Sequence, residues 1–159
     1  MRRKDREIKD ISEIVSIMKK CDVCRLALNN DGYPYIIPLN FGISFSGEKI
    51  ELVFHSARQG QKVCLMQADN RASIEMDCSH QLQYFEDKGY CTFSYESVIG
   101  RGHISILEGD DKVTALRLLM DHYHPGENAY FNPASIPATL VYKLTVDEIT
   151  GKRRVLHEG

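Results

Sequence analysis

Apolar residues recur at helical spacing near the start of the chain and then switch to alternation. Ile8, Ile11, Ile14/Val15 and Ile17/Met18 fall three to four apart, with Glu7, Asp10, Glu13 and Lys19 between them. This spacing predicts an amphipathic helix over residues 5–20. Val23 to Leu28 is apolar except for Arg25, and Asn29-Asn30-Asp31-Gly32 is a hairpin turn signal. Strands are expected over 33–45 and 50–55, joined at Ser46-Gly47-Glu48. Residues 59–68 have no breaker after Gly60 and predict a crossover helix with Val63, Leu65 and Met66 facing inward. Ile74 and Met76 alternate in a strand over 72–78, and the polar stretch 79–89 predicts a loop ending at Gly89.

Tyr90 to Leu107 is the longest stretch of β character, and Gly100 and Gly102 in its middle predict a bulge or a sharp coil. Gly109-Asp110-Asp111 caps a helix over 111–123 with Val113, Leu116, Leu119 and Met120 on one face. Residues 125–138 hold three of the five prolines and predict an ordered loop, followed by a last strand over 139–149. Six or seven hairpin-joined strands and three helices predict a mainly β fold, a small antiparallel barrel with helices packed outside, because no strand is built as a guarded edge. The 159 residues suit a single domain, 1–159.

Charge narrows the partners. A net charge of -2 argues against nucleic acid, which calls for a basic excess. The short clusters Arg2-Arg3-Lys4 and Lys152-Arg153-Arg154 read as solvated termini. No apolar run approaches the ~20 residues that span a bilayer, and the charged segment from Arg2 to Asp10 is no signal-peptide core. No membrane partner is expected, and the expected address is the cytoplasm. The five cysteines are then free thiols, and Cys21-Asp22-Val23-Cys24 closes a helix instead of opening one, unlike a redox CxxC. No metal site is expected either: His122 and His124 are two apart on a helix and do not face each other. Tyr123, Tyr130 and Phe131 read as packing residues.

One segment carries chemistry. Tyr33 to Gly42 reads YPYIIPLNFG, and a second strand ends in His55-Ser56-Ala57 before Gly60 and Lys62. A hydroxyl, a flexible glycine and a cation in this order can converge on a phosphate together with backbone N–H groups. Proline donates no ladder hydrogen bond, so Pro34 and Pro38 suggest a strand that leaves its neighbour and offers backbone groups to something else. Together these point to a phosphate-bearing planar cofactor along a split sheet.

The run PYIIPLNFG followed by FHSARQGQK resembles the FMN-binding split-barrel family related to pyridoxamine 5′-phosphate oxidase. Five further features resemble its nitroimidazole-resistance (nitroimidazole reductase) branch: the opening MRRKDREI, the Cys24-Arg25-Leu26-Ala27 strand, YPY-PLNFG, FHSA-x-x-G-x-K and Thr150-Gly151-Lys152. The resemblance implies a homodimer of six-stranded antiparallel Greek-key split β-barrels, with two FMN molecules at the interface. It implies that Pro38, Leu39 and Asn40 run past the isoalloxazine, that His55, Ser56 and Ala57 lie beside the ring and ribityl chain, and that Lys62 faces the phosphate. Tyr95-Glu96-Ser97-Val98 would line the same groove, and Lys152, with Arg153, would approach from the partner subunit. The arginine-rich substrate signature of the oxidase proper is missing, because no proline follows Pro137, so pyridoxamine phosphate oxidation is not the expected activity.

Two functions follow. In the first, FMN accepts hydride from NAD(P)H and passes electrons to a small acceptor, a nitroaromatic, nitroimidazole or quinone, with His55 contacting the cofactor and donating a proton. No G-x-G-x-x-G fingerprint is present, so the nicotinamide donor would bind transiently. In the second, the chain is a non-catalytic flavin- or haem-binding module, with His55 or His103 as axial ligand.

Overall fold

A computed structural model describes residues 3–47, 49–127 and 130–156. Arg2 of the basic cluster, Glu48 of the expected turn and His157 lie outside the described residues. The elements in order are β1 (Glu7–Ile8), α1 (Ile11–Met18), β2 (Cys24–Leu28), β3 (Tyr35–Leu39), β4 (Gly42–Ser46), β5 (Lys49–Ala57), α2 (Gln61–Ala68), β6 (Arg71–Phe85), β7 (Tyr90–Leu107), α3 (Gly109–Tyr123) and β8 (Thr139–Arg154). The fold is mainly β with three α-helices, as expected, but the sheet has eight strands, not six. Two causes account for the difference: the expected strand over 33–45 breaks at Asn40-Phe41, and Glu7–Ile8 pairs with Lys152–Gly151.

That pairing also corrects the first helix, expected over 5–20. Asp10 caps it, accepting a hydrogen bond from the Ser12 N–H at 2.8 Å, so Ile8 belongs to the strand before it. The loop expected over 79–89 is instead a hairpin. β6 runs on to Phe85, a 3-10 turn covers Glu86–Lys88, Gly89 turns with φ of 60°, and β7 returns. The last strand extends to Arg154, beyond the expected 149.

The strand order is β3-β2-β6-β7-β8-β5-β4, and every neighbouring pair is antiparallel. β3 and β4 are thus the two ends of the order, yet only Asn40 and Phe41 join them. Three virtual bonds of 3.8 Å span at most about 11 Å. The sheet must therefore roll up until its ends meet, and the two meeting strands share no ladder. This is a barrel with an unbonded seam. Pro38 sits inside β3, opposite Arg25 of β2. The expectation that the strand leaves its neighbour at the prolines is corrected: β3 stays paired to β2 through Leu39, and Pro38 is tolerated because the other side of β3 is a free edge.

Inside the barrel pack Leu26, Phe41, Leu52, Phe54, Ile74, Met76, Tyr142 and Leu144, sealed by Ile17 and Met18 of α1 and Val63 and Met66 of α2. α3 lies outside, its Ala115 and Leu119 against Val53 and Val141. Gly42 permits this approach, since a Cβ there would stand 2.5 Å from the Leu119 backbone nitrogen. The expected bulge in β7 is present as a register shift between Arg101 and Gly102, where a Cβ on Gly102 would meet the Thr145 carbonyl. No described helix is long and apolar enough to cross a membrane.

A buried carboxylate fastens α1 to the far end of the sheet. The Glu96 side chain, 8% exposed, accepts from Lys20 at 2.7 Å, Ser79 at 2.9 Å and Arg153 at 2.6 Å, and Arg153 also pairs with Glu13. Burial alone would raise the pKa of Glu96, but these hydrogen bonds override it and pull it down to about 2. A carboxylate whose folded pKa lies below its unfolded value stabilises fully above the unfolded pKa of 4.5 and loses that contribution as pH falls toward about 2. Glu96→Gln is therefore expected to lower stability at pH 7 by roughly 2–3 kcal/mol, since it removes the buried partner of the partly buried Arg153 and of Lys20. In urea unfolding, the gap from the natural protein should close as pH falls through this window. A gap that does not vary with pH would remove Glu96 as the source.

Candidate functional site

The sequence-derived residues fall into two groups. The first gathers at one mouth of the seam. The β4–β5 ladder ends at Gly42 opposite Val53, two residues from Asn40 on one side and two from His55 on the other. Pro38 and Asn40 are exposed on the free edge of β3, while Leu39 is half-buried against the main core. His55, Ser56 and Ala57 end β5, paired to Val141, Leu140 and Thr139 of β8. Pleating turns His55 to the outer face with Val53, toward α3, while Ser56 faces inward with Phe54. The Ser56 hydroxyl donates to the Ala57 carbonyl at 2.9 Å.

Gly60 then turns with φ of 127°, a conformation suited to glycine, and opens α2. No side chain caps α2 and its first turn carries no acid, so the N–H groups of Gln61 and Lys62 make no backbone hydrogen bond among the described residues. Lys62 is half-buried, its ammonium 5.9 Å from the centroid of the Tyr142 ring. Burial lowers its pKa, and no carboxylate among the described residues pairs with it. His55 stands close enough to feel this cation: desolvation first, and Lys62 second, lower the imidazole pKa, so the ring is neutral at pH 7. Tyr142 itself is fully buried with an unpartnered hydroxyl. Arg58 is committed elsewhere, donating to the Pro137 carbonyl at 3.1 Å.

The second group lies on β7 and β8. Tyr95 pairs with Arg154 and Ser97 with Lys152, and the Lys152 ammonium sits 5.6 Å from the Tyr95 ring centroid. Burial opposes ionisation of Tyr95, but hydrogen bonds from Lys152 and Arg6 outweigh it and lower its pKa. Val98 is 0% exposed, so its side chain packs the core and only its backbone is left to meet a ligand. Arg153 is held by Glu96 and Glu13 and is not a free cation. The β8 ladder sets this group far from the first: Ser56 opposes Leu140 and Ser97 opposes Lys152, about 40 Å apart along the strand. Within one chain the two groups do not form one groove.

The remaining candidates are tied up. His103 Nδ1 lies 2.5 Å from Asp147, and His122 Nε2 lies 2.9 Å from the Cys21 carbonyl. Tyr123 accepts from the Phe41 N–H and donates to the Asp22 carbonyl, a packing role as expected. Cys21 and Cys24 are buried, and burial raises both thiol pKa values, which makes them structural. Among the described residues no cluster of three or more His, Cys, Asp or Glu is placed to hold a metal. Sequence reasoning missed the Glu96 network, whose members are scattered from Glu13 to Arg153. It also missed a cavity beside His55, walled by α3 and residues 130–139.

A family model described as pyridoxamine 5′-phosphate oxidase matches residues 10–153. No curated protein matches the chain. Among solved structures, a candidate 5-nitroimidazole antibiotic resistance protein from Bacteroides thetaiotaomicron is 29% identical. It covers 92% of this chain and 86% of its own, with a TM-score of 0.80. Two others share the fold at lower identity. The flavocytochrome Anf3 from Azotobacter vinelandii is 18% identical over 99% of this chain and 75% of its own, with a TM-score of 0.76. The FAD and heme binding protein from Mycobacterium smegmatis is 22% identical over 97% and 74%, with a TM-score of 0.75. With a rolled antiparallel sheet, an unbonded seam and a match along nearly its whole length, the chain belongs to the pyridoxamine 5′-phosphate oxidase family of flavin-binding split barrels.

Proposed function

We propose that this chain is an FMN-dependent oxidoreductase that takes electrons from NAD(P)H and passes them to a small acceptor such as a nitroimidazole, another nitroaromatic or a quinone. The observation that carries the reading is Lys62: a half-buried ammonium without a carboxylate partner among the described residues, beside the uncapped N-terminus of α2. A half-buried cation next to free N–H groups is a site for an anion, and one such site suits the single phosphate of FMN better than the larger FAD. The free edge of β3 at Pro38, Leu39 and Asn40 offers backbone groups to a planar ring lying across the seam. The Ser56 hydroxyl, now donating to the Ala57 carbonyl, is a further donor at the same strand end.

Bound flavin supplies the electron transfer. The chain supplies position and a proton site: His55, neutral and without a hydrogen-bond partner among the described residues, is the group placed to donate to a ring or acceptor atom. The likeness at 29% identity to a candidate nitroimidazole-resistance protein supports the acceptor class. Pyridoxamine phosphate oxidation is not favoured, because Arg153 is engaged with Glu13 and Glu96. Five free thiols suit a reducing, cytoplasmic setting.

The separation of the two residue groups supports a homodimer. If Tyr95, Ser97 and Lys152 serve the same flavin as Lys62, the 40 Å of strand between them requires a second copy, and a closed two-fold pair is the commonest arrangement. The partner subunit's Lys152 would then meet the seam of the first chain.

The direct test is to load the purified protein, identify the released cofactor by mass and follow bleaching of the flavin band by NADH or NADPH. FMN with bleaching is expected; FAD, no flavin, or a Soret band would refute the reading. Lys62→Ala removes a charge-assisted contact of roughly 1.5–3 kcal/mol. FMN affinity by fluorescence titration should fall by about one to two orders of magnitude with the fold intact. An unchanged affinity would move the phosphate elsewhere. In sedimentation the protein should run as a dimer whose melting temperature rises with FMN concentration. A stable monomer holding FMN would exclude the shared site.

A further inference from the structure

A cavity of about 420 Å³ opens on the outer face of the sheet, over β6, β7 and β8 and beside Pro34. We propose that it binds a small zwitterion, an amino acid with an apolar side chain. Its lining shares no residue with either group of flavin candidates, and the proposal does not depend on the flavin reading.

Strand pairing builds the polar part. Between β6 and β7, Arg71 opposes His103 and Ser73 opposes Arg101, so these four side chains form a square on one face. On β8 the register slips. Arg101 opposes Glu148 and Gly102 opposes Val146, which leaves Asp147 as the extra residue of a bulge. Regular alternation would send Asp147 and Glu148 to opposite faces. The bulge turns both outward, where Asp147 meets His103 Nδ1 at 2.5 Å and Glu148 pairs with Arg101. Gly102 fits this close approach, because a Cβ there would stand 1.9 Å from the Thr145 carbonyl oxygen.

The result is a charge gradient across three strands, cationic at Arg71 and Arg101 and anionic at Asp147 and Glu148. Each group is held by a partner yet keeps bonding capacity. Arg71 donates from Nε and Nη2 to Asp69 at 3.0 and 2.7 Å, and Asn29 donates to the same carboxylate at 2.6 Å. Arg71 Nη1, Arg101 Nη1, the Ser73 hydroxyl and the second oxygens of Asp147 and Glu148 have no partner among the described residues. These donors suit a carboxylate, and these acceptors suit an ammonium. A ligand with one charge would meet attraction on one side of the cavity and repulsion on the other. A zwitterion gains on both. Ala27, Leu28, Pro34 and Ala72 complete the lining with hydrocarbon, where an aliphatic side chain leaves water. Drug-sized ligands occupy pockets of roughly 300–1,000 Å³, so this one, near the lower limit, suits a molecule of amino-acid size.

The probe is L-leucine, titrated into the isotope-labelled full chain and followed through the backbone amides. Saturable shifts are expected at Ser73, Arg101, Gly102 and Asp147. Two analogues each lack one charge: 4-methylpentanoate has no amino group, and 3-methylbutylamine has no carboxylate. Each is expected to bind at least tenfold more weakly than leucine. Arg71→Gln and Glu148→Gln are expected to weaken leucine at least tenfold as well, and both side chains are mostly exposed, so the fold survives the change. Absence of shifts at these four amides up to about 10 mM leucine would overturn the proposal. So would an analogue that binds within tenfold of leucine, or a folded variant that keeps leucine within tenfold. Should one variant fail to fold, the other variant and the analogues on the natural protein decide.

Discussion

Two residues hold this architecture together. Asn40 and Phe41 connect the strands at opposite ends of the hydrogen-bonded order, and so short a link forces the sheet to close without a ladder across the join. The seam is fixed by side chains instead. Phe41 is fully buried, packs at a 43° tilt against His122 with ring centroids 4.3 Å apart, and donates its N–H to the Tyr123 hydroxyl. Gly42 lets α3 come against the backbone at the same point. The helix thus takes the place of the missing ladder, and the free edge of β3 next to it stays open for a ligand. Binding capacity and closure come from the same constraint.

Electrostatics divides the labour along β8. At its C-terminal end cations meet carboxylates: Arg153 and Lys20 surround Glu96, and the cost of burying that charge is met by hydrogen bonds. At its N-terminal end Lys62 has no such partner among the described residues and leans on an aromatic ring. The first arrangement is finished within the chain and holds the fold. The second has no counter-charge among the described residues, and it is where we propose that an anion binds. This contrast separates the charges engaged within the chain from the one left without a counter-charge among the described residues.

Much of this was legible in the sequence, for particular reasons. Alternation in β2, β6 and β7 and the glycines of β7 gave the strands and the bulge, because one face of each is buried. Pro38 reads as departure from a neighbour, but it marks a free edge instead, since β3 stays paired to β2. The end of β6 beyond residue 78 was unreadable as strand: its outer residues, among them Leu82 and Tyr84, face solvent and show no buried stripe. The first helix read too long because Ile8 fits a helical period while its partner, Gly151, lies at the other end of the chain. At the site, the candidates on β3, β5 and α2 came from local order along the chain. The distance to Tyr95 and Lys152 depends on ladder register, which no local pattern carries.

The central claim is that the flavin sits where the free edge of β3, the end of β5 and the start of α2 meet. Amide chemical-shift mapping on the flavin-free protein titrated with FMN tests it residue by residue. The largest shifts are expected at Asn40, Ser56, Gln61 and Lys62, with a second set at Ser97 and Lys152 in the dimer. Shifts confined to the opposite wall, around His103 and Asp147, with the α2 amides unmoved, would contradict it.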